Sequence, residues 1–132
     1  MNIIIPIGGI GKRFREQGYT KPKALIPILG KPVLFWLLDS IKNSERSINA
    51  IYIPHTKEYT EYHFQDLISN KYPTLNVHCS ELSKRTEGAL ETIALCLSTL
   101  EIEDSPIICL DSDNFYTCDI LNSWKGDNRV VT

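Results

Sequence analysis

With 132 residues, 42% of them apolar, the chain has the size and composition of one compact domain, residues 1–132, able to build its own core. Against 16 acidic residues stand 14 basic ones, a formal charge of -2 that gives no overall field for nucleic acid or an anionic membrane, so any basic chemistry must be local. No apolar run approaches the ~20 residues that cross a bilayer. The N-terminus also lacks the basic region, apolar core and small-residue cleavage site of a secretory signal, so a cytoplasmic protein with no membrane partner is expected.

The first apolar run, Ile3 to Ile7, predicts a short strand buried on both faces. Pro32 stands where a first helical turn tolerates it, and Val33, Leu34, Trp36, Leu37, Leu38 and Ile41 predict an apolar helix ending near Asn43. A second strand is expected from Ile48 to Pro54, with His55 at its end read as a surface or capped residue. Tyr59, Tyr62, His63, Leu67 and Ile68 then suggest one helix, entered at Thr56 and closed before Pro73. Leu75 to Cys79 reads as a third strand. Leu90, Ile93, Ala94, Leu97 and Leu100 fall at helical spacing behind Thr86, a plausible cap. Pro106 to Leu110 is a fourth strand, and Arg129 to Thr132 starts another β-like run. Trp36 is expected in the core.

Cys79, Cys96, Cys109 and Cys118 are widely spaced with no CxxC pair, which predicts reduced core thiols rather than disulfides or zinc ligands. Strands alternating with helices predict an α/β fold: a three-layer sandwich whose mostly parallel sheet carries helices on both faces through right-handed crossovers. Ligands in such sheets bind beyond the carboxyl ends of strands. That rule selects Gly8 to Phe14, the turn at His55 and Thr56, the loop from Ser80 to Gly88, and Asp111 to Asn114.

The glycine loop fails two familiar tests. In a Walker A loop Gly11-Lys12 would be followed by Ser or Thr and preceded by glycine at position 6, but Arg13 and Pro6 stand there. In a dinucleotide fingerprint Phe14 occupies the place of the third glycine. Two readings then remain for the loop alone: a tight turn with solvated basic residues, or a backbone cradle for an anion that Arg13 and Lys23 neutralise.

Over a longer span, "GGIGKRF" followed by "KPKALIPILGKPVL" resembles the N-terminal signature of the sugar-phosphate nucleotidylyltransferases. Pro22-Lys23 and Lys31-Pro32 keep that family's spacing. "RTEGAL", Arg85 to Leu90, is similar to the family's GTAxAL element with arginine in place of its first glycine. "LDSDN", Leu110 to Asn114, is similar to its metal-binding LGDN. The resemblance implies a Rossmann-like, glycosyltransferase-A-like nucleotidyltransferase fold, incomplete at its C-terminal side, where family members carry the acceptor surface and a second metal-binding aspartate. It implies transfer of a nucleoside monophosphate from an NTP to a sugar phosphate or related phosphorylated small molecule, with release of pyrophosphate.

The resemblance also assigns residues. Arg13 and Lys23 are the expected catalytic residues, Arg13 on the β and γ phosphates and Lys23 bridging the α-phosphate and the attacking phosphate. Ile7, Gly8, Gly9, Gly11, Lys12, Thr86 and Gly88 are the expected nucleotide-binding set, Thr86 being a cap or a ligand contact. Asp113 is expected to hold Mg²⁺, with Asp111 either a second metal contact or a loop cap. If the segment is extended, the two carboxylates face the same side. The insertion "REQGYT" resembles branches that serve surface-polysaccharide or capsule assembly. Base choice is expected to depend on contacts near Gly8, Gly9 and the Ser80 to Thr86 loop. An open sheet edge would favour a homo-oligomer. Two alternatives stay open: a metal-dependent glycosyltransferase using Asp111-Ser112-Asp113, and a non-catalytic nucleotide-binding module.

Overall fold

The computed structural model describes residues 1–101 and 105–126. Four parallel strands form the sheet: β1 (Asn2–Ile4), β4 (Ala50–His55), β5 (Val77–Glu81) and β6 (Ile107–Cys109), in the spatial order β5-β4-β1-β6. The chain therefore builds outward from β1 to β5, then returns to the other side of β1 to lay down β6. That reversal makes the gap between β1 and β6 the topological switch point, the place where open α/β sheets bind ligands.

Between the strands lie α1 (Lys12–Glu16), a 3₁₀ turn at Lys23–Leu25, a two-residue hairpin of β2 (Pro27–Ile28) and β3 (Lys31–Pro32), and α2 (Val33–Lys42). Then come α3 (Lys57–Glu61), α4 (Phe64–Lys71), α5 (Ala89–Thr99) and α6 (Ile120–Ser123). The two sheet faces follow from strand alternation. Ile3, Ile5, Ile51, Ile53 and Val77 join one core with Leu34, Leu37, Leu38 and Ile41 of α2, Tyr59 of α3, and Phe64 and Ile68 of α4. The α2 residues recur at helical spacing, and each aliphatic side chain so buried contributes about 1.5–3 kcal/mol. Ile4 and Ala50, of opposite parity, are buried outside that core, on the face where α5 packs against β4.

Several boundaries differ from expectation for identifiable reasons. The first strand ends at Ile4 because Pro6 has no N–H to donate, although the extended chain continues beside β4 through Ile5 N–H to Tyr52 O and Ile7 N–H to Pro54 O. Pro32 closes the β2–β3 hairpin and caps α2 from outside instead of occupying its first turn. The single helix expected from Thr56 is two. Tyr59 and Phe64 both belong to the core, and five helical residues would aim them about 140° apart. His63, at φ 52° in the left-handed region, resets the chain so that their rings meet at 5.0 Å.

His55 is no surface residue but lies buried among Tyr59 and Phe64, its Nδ1–H donating to the Thr56 carbonyl at 2.9 Å. Trp36 is only half-buried: its indole N–H donates to Ile28 O, Lys31 lies over its face, and Phe115 meets it edge-on. Among the cysteines only Cys96 is buried, with Cys79 half-buried and Cys109 and Cys118 exposed, so the expectation of core thiols fails for the last two. All four are free thiols. The β-like run at Arg129 to Thr132 lies outside the described residues, among which no helix is long and apolar enough to cross a membrane.

One buried hydrogen bond ties this core to the loop that follows α1. The Ala24 N–H donates to the Tyr59 hydroxyl at 3.1 Å, fixing the turn that begins at Lys23. Burial pushes the Tyr59 phenol up to about 12, so it remains a neutral acceptor. Tyr59→Phe strands the Ala24 amide and is expected to cost ~1–3 kcal/mol, read as a lower urea midpoint at unchanged slope. An unshifted midpoint would mean that this amide finds another acceptor.

Candidate functional site

Two loops meet at the carboxyl end of β1. Residues 5–11 leave the strand, and the segment from Arg85 to Gly88 leads into α5. Between them lies a pocket of about 250 Å³ lined by Gly8, Gly9, Arg85, Thr86 and Gly88 among others. Gly8 makes the meeting possible. A Cβ there would come within 3.0 Å of the hydroxyls of both Thr86 and Thr92. Those hydroxyls hydrogen-bond each other at 2.7 Å, and Thr92 Oγ1 also donates to Gly88 O at 3.1 Å. Gly9 and Gly88 have nothing within 4 Å of the equivalent position, so what they preserve is open pocket space.

Thr86 is therefore not the cap of α5. Gly88 occupies that position, and the buried Thr86 hydroxyl is spent on Thr92. Glu91 fastens the approach to the helix: its carboxylate accepts from the Glu87 N–H at 2.8 Å and meets Lys84 at 2.9 Å. Those contacts, the Glu87 amide first, hold the Glu91 carboxyl below its ordinary 4.5. A carboxyl lowered by folding adds stability above its unfolded pKa and loses it as pH falls through the folded value, so the loop is fastened at neutral pH.

The glycine loop ends at Gly11, whose φ of 61° suits glycine and whose Cβ position lies 3.2 Å from the Lys23 Cβ. Lys23 in turn forms an ion pair with Asp113, Nζ to Oδ2 2.6 Å, across the switch point. Both side chains are more than a third exposed, so the pair is open to solvent on one side. The structure thus brings the glycine loop, Lys23 and Asp113 together, and gathers Gly8, Gly9, Thr86 and Gly88 around the pocket.

The remaining expected residues fall elsewhere. Ile7 is buried in the core, does not line the pocket, and its N–H is committed to Pro54 O. Lys12 is exposed and pairs with Glu16 at 3.9 Å. Arg13 is exposed on α1, its side chain making no hydrogen bond or ion pair with another described residue. Arg15, two residues on and about 160° around the helix from Arg13, is held by Glu58 and by Ile10 O. Asp111 and Asp113 have separate partners. Ser112 and Asp113 form a turn, so strand alternation does not apply; Asn114 Nδ2 lies 3.5 Å from Asp111, while Asp113 goes to Lys23. Among the described residues no three His, Cys, Asp or Glu side chains are grouped to hold a metal.

The sequence profile of the nucleotidyl transferases matches residues 2–125. The chain belongs to that family. A Sulfolobus acidocaldarius protein named as a mannose-1-phosphate guanyltransferase is 40% identical over 53 residues, which are 40% of this chain and 14% of that protein. A Bacillus anthracis structure named as a glucose-1-phosphate thymidylyltransferase superposes with a TM-score of 0.75 at 20% identity, over 93% of this chain and 48% of the other. The inositol-1-phosphate CTP transferase of T. maritima gives 0.74 at 18% identity, over 96% of this chain and 49% of its own. The chain spans about half the length of these solved relatives, with which it shares the Rossmann-like α/β fold.

In this family member the side chains that shape the pocket extend beyond the motif. Thr92 and Glu91 lie inside α5, where ordinary helical residues are expected, and only their contacts reveal them. Arg85 did carry a signal, as a departure from the glycine of the related motif. Gly8→Ala forces a methyl against two buried hydroxyls and is expected to destabilise the fold by about 1–3 kcal/mol. Gly9→Ala adds its methyl to empty space and is expected to stay within about 0.5 kcal/mol of wild type. Urea denaturation of both variants checks the contrast, and equal losses would refute the packing role of Gly8.

Proposed function

We propose that residues 1–132 form the nucleotide-binding domain of a sugar-phosphate nucleotidyltransferase. The observation that carries this reading is the 2.6 Å Lys23–Asp113 ion pair beside Gly11, at the switch point of a parallel sheet. An oxygen of the acceptor phosphate attacks the α-phosphorus in line, a P–O bond forms, and the bond to the leaving pyrophosphate breaks. Protein groups are needed mainly to align two anions and absorb charge.

Each residue has a task in that scheme. Backbone N–H groups of the Gly8 to Gly11 loop hold the triphosphate. Lys23 lies between the α-phosphate and the attacking phosphate and reduces their repulsion. Arg13, exposed on the helix that follows the loop, takes the outer phosphates and the departing pyrophosphate. Asp113 offers a hard oxygen donor of the kind Mg²⁺ takes singly or in pairs, completing its shell with phosphate oxygens and water. When bound, the metal neutralises phosphate charge and polarises the phosphoryl group. A half-exposed ion pair is worth only about 0–1 kcal/mol, so Lys23 and Asp113 exchange each other for phosphate and metal at little cost.

The acceptors in the names of the relatives share a phosphate on a polyhydroxylated ring, which supports a phosphorylated small molecule as co-substrate. The "REQGYT" insertion supports a place in surface-polysaccharide precursor synthesis. The glycosyltransferase alternative loses ground because its two aspartates have separate partners.

Melting temperatures with ATP, CTP, GTP, UTP and dTTP, each with and without Mg²⁺, test the proposal, since a ligand of the folded form raises the transition. Mg²⁺-dependent stabilisation is expected. Arg13→Ala and Lys23→Ala are expected to weaken nucleotide affinity roughly 10- to 100-fold, the range of a hydrogen bond to a charged group. Asp113→Asn is expected to remove the Mg²⁺-dependent part of the shift. No stabilisation by any nucleotide, or shifts unchanged in all three variants, would overturn the assignment.

A further inference from the structure

The pocket beside Gly8 carries an unusual pair of charges. Arg85 and Glu87 both line it, one residue apart on either side of the buried Thr86. Arg85 makes no hydrogen bond or ion pair with another described residue, and neither does the Glu87 carboxylate. Their neighbours are committed: Lys84 and the Glu87 N–H are both taken by Glu91. The backbone just after Thr86 is thereby anchored at the Glu87 amide, and Arg85 and Glu87 both stand exposed at the pocket with side chains uncommitted to any described residue.

Two features make this a poor site for phosphate. Glu91 already occupies the first turn of α5, cancelling the positive end of that helix, and Glu87 adds a second carboxylate to the wall. The cationic end of the glycine loop is the other one, at Gly11 and Lys23. Pro6, Ile10 and Ala89 supply apolar walls, and Gly9 and Gly88 supply clear space. A dry cavity of roughly 150 Å³ accommodates a single benzene ring. At about 250 Å³ this pocket has room for a bicyclic base.

We propose that Arg85 and Glu87 select guanine as the base of the bound nucleotide. This inference rests on the reading of the site as a nucleotide site. Guanine presents two adjacent acceptors, O6 and N7, that match the arginine fork bidentately. On its neighbouring edge N1–H and the N2 amine are donors for a carboxylate. Adenine puts a donor beside N7, and uracil and thymine offer no pair of adjacent acceptors. Cytosine pairs O2 with N3 but carries a single amine for Glu87, so it satisfies fewer of the charged groups.

Titration of the full chain with the five Mg²⁺ nucleotides, and with 7-deaza-GTP, tests the assignment. GTP is expected to bind at least ~10-fold tighter than ATP, UTP or dTTP, the discrimination of one bidentate arginine–guanine contact. Arg85→Ala is expected to bring GTP to the level of the others, and Arg85→Lys is expected not to restore the preference, because an ammonium lacks the fork. 7-Deaza-GTP, lacking N7, is expected to bind wild type about as weakly as GTP binds Arg85→Ala. Glu87→Gln is expected to weaken GTP but not ATP. A preference for another base, or a GTP preference that survives Arg85→Ala, overturns the inference while leaving the nucleotide site intact. Failure of every nucleotide to bind overturns it together with the proposed function.

Discussion

The missing Cβ at Gly8 is the constraint on which the site depends. It allows the loop after β1 to lie against a pair of hydroxyls, Thr86 and Thr92, that bond each other and reach back to Gly88 O. One wall thus belongs to the first loop of the fold and the other to the start of α5, and they share a contact too close for any side chain. Glu91, in the first turn of α5, adds to this by accepting from the Glu87 amide and pairing with the Lys84 side chain. The pocket is a product of packing between the loop after β1 and the start of α5, elements about 80 residues apart in the chain.

A second dependence runs through Lys23. Its turn is pinned from below by the Ala24 amide on the buried Tyr59 hydroxyl, and from the side by Gly11, whose left-handed backbone brings the loop against the lysine stem. The charged end faces Asp113 with more than a third of each side chain in solvent. Support beneath is rigid and the ion pair above is exposed, so the hydrophobic core fixes where one ammonium begins while its charged end stays open to solvent.

Much of the architecture was legible in the sequence because its signals are local. Ile3 to Ile7, Ile48 to Pro54 and Pro106 to Leu110 are apolar runs bounded by breakers, and they place three of the four strands to within a few residues. The α2 and α5 patterns give their helices for the same reason. What failed was decided by distant partners. His63 turns left-handed because Phe64 must meet Tyr59 in the core, and Trp36 stays half-exposed because Lys31 and Phe115 flank it. Cys109 has the hydrophobic neighbours of a core thiol but sits on the last strand of the sheet, where one side has no described neighbour strand.

By itself the sequence determined that strands and helices alternate, that the chain must therefore build a parallel sheet, and that its glycine loop and Asp113 stand just beyond strand ends. Period and spacing are properties of neighbouring residues, so one chain suffices to read them. Tertiary structure alone decided that Asp113 meets Lys23 rather than Asp111, that Thr86 is spent on Thr92 rather than on a helix cap, and that Arg85 and Glu87 share a pocket wall with Gly8. Each of these is a contact between groups far apart in the chain or turned by a local kink. Only the closed fold, by excluding all but a few partners for every buried or crowded group, fixes which of them meet.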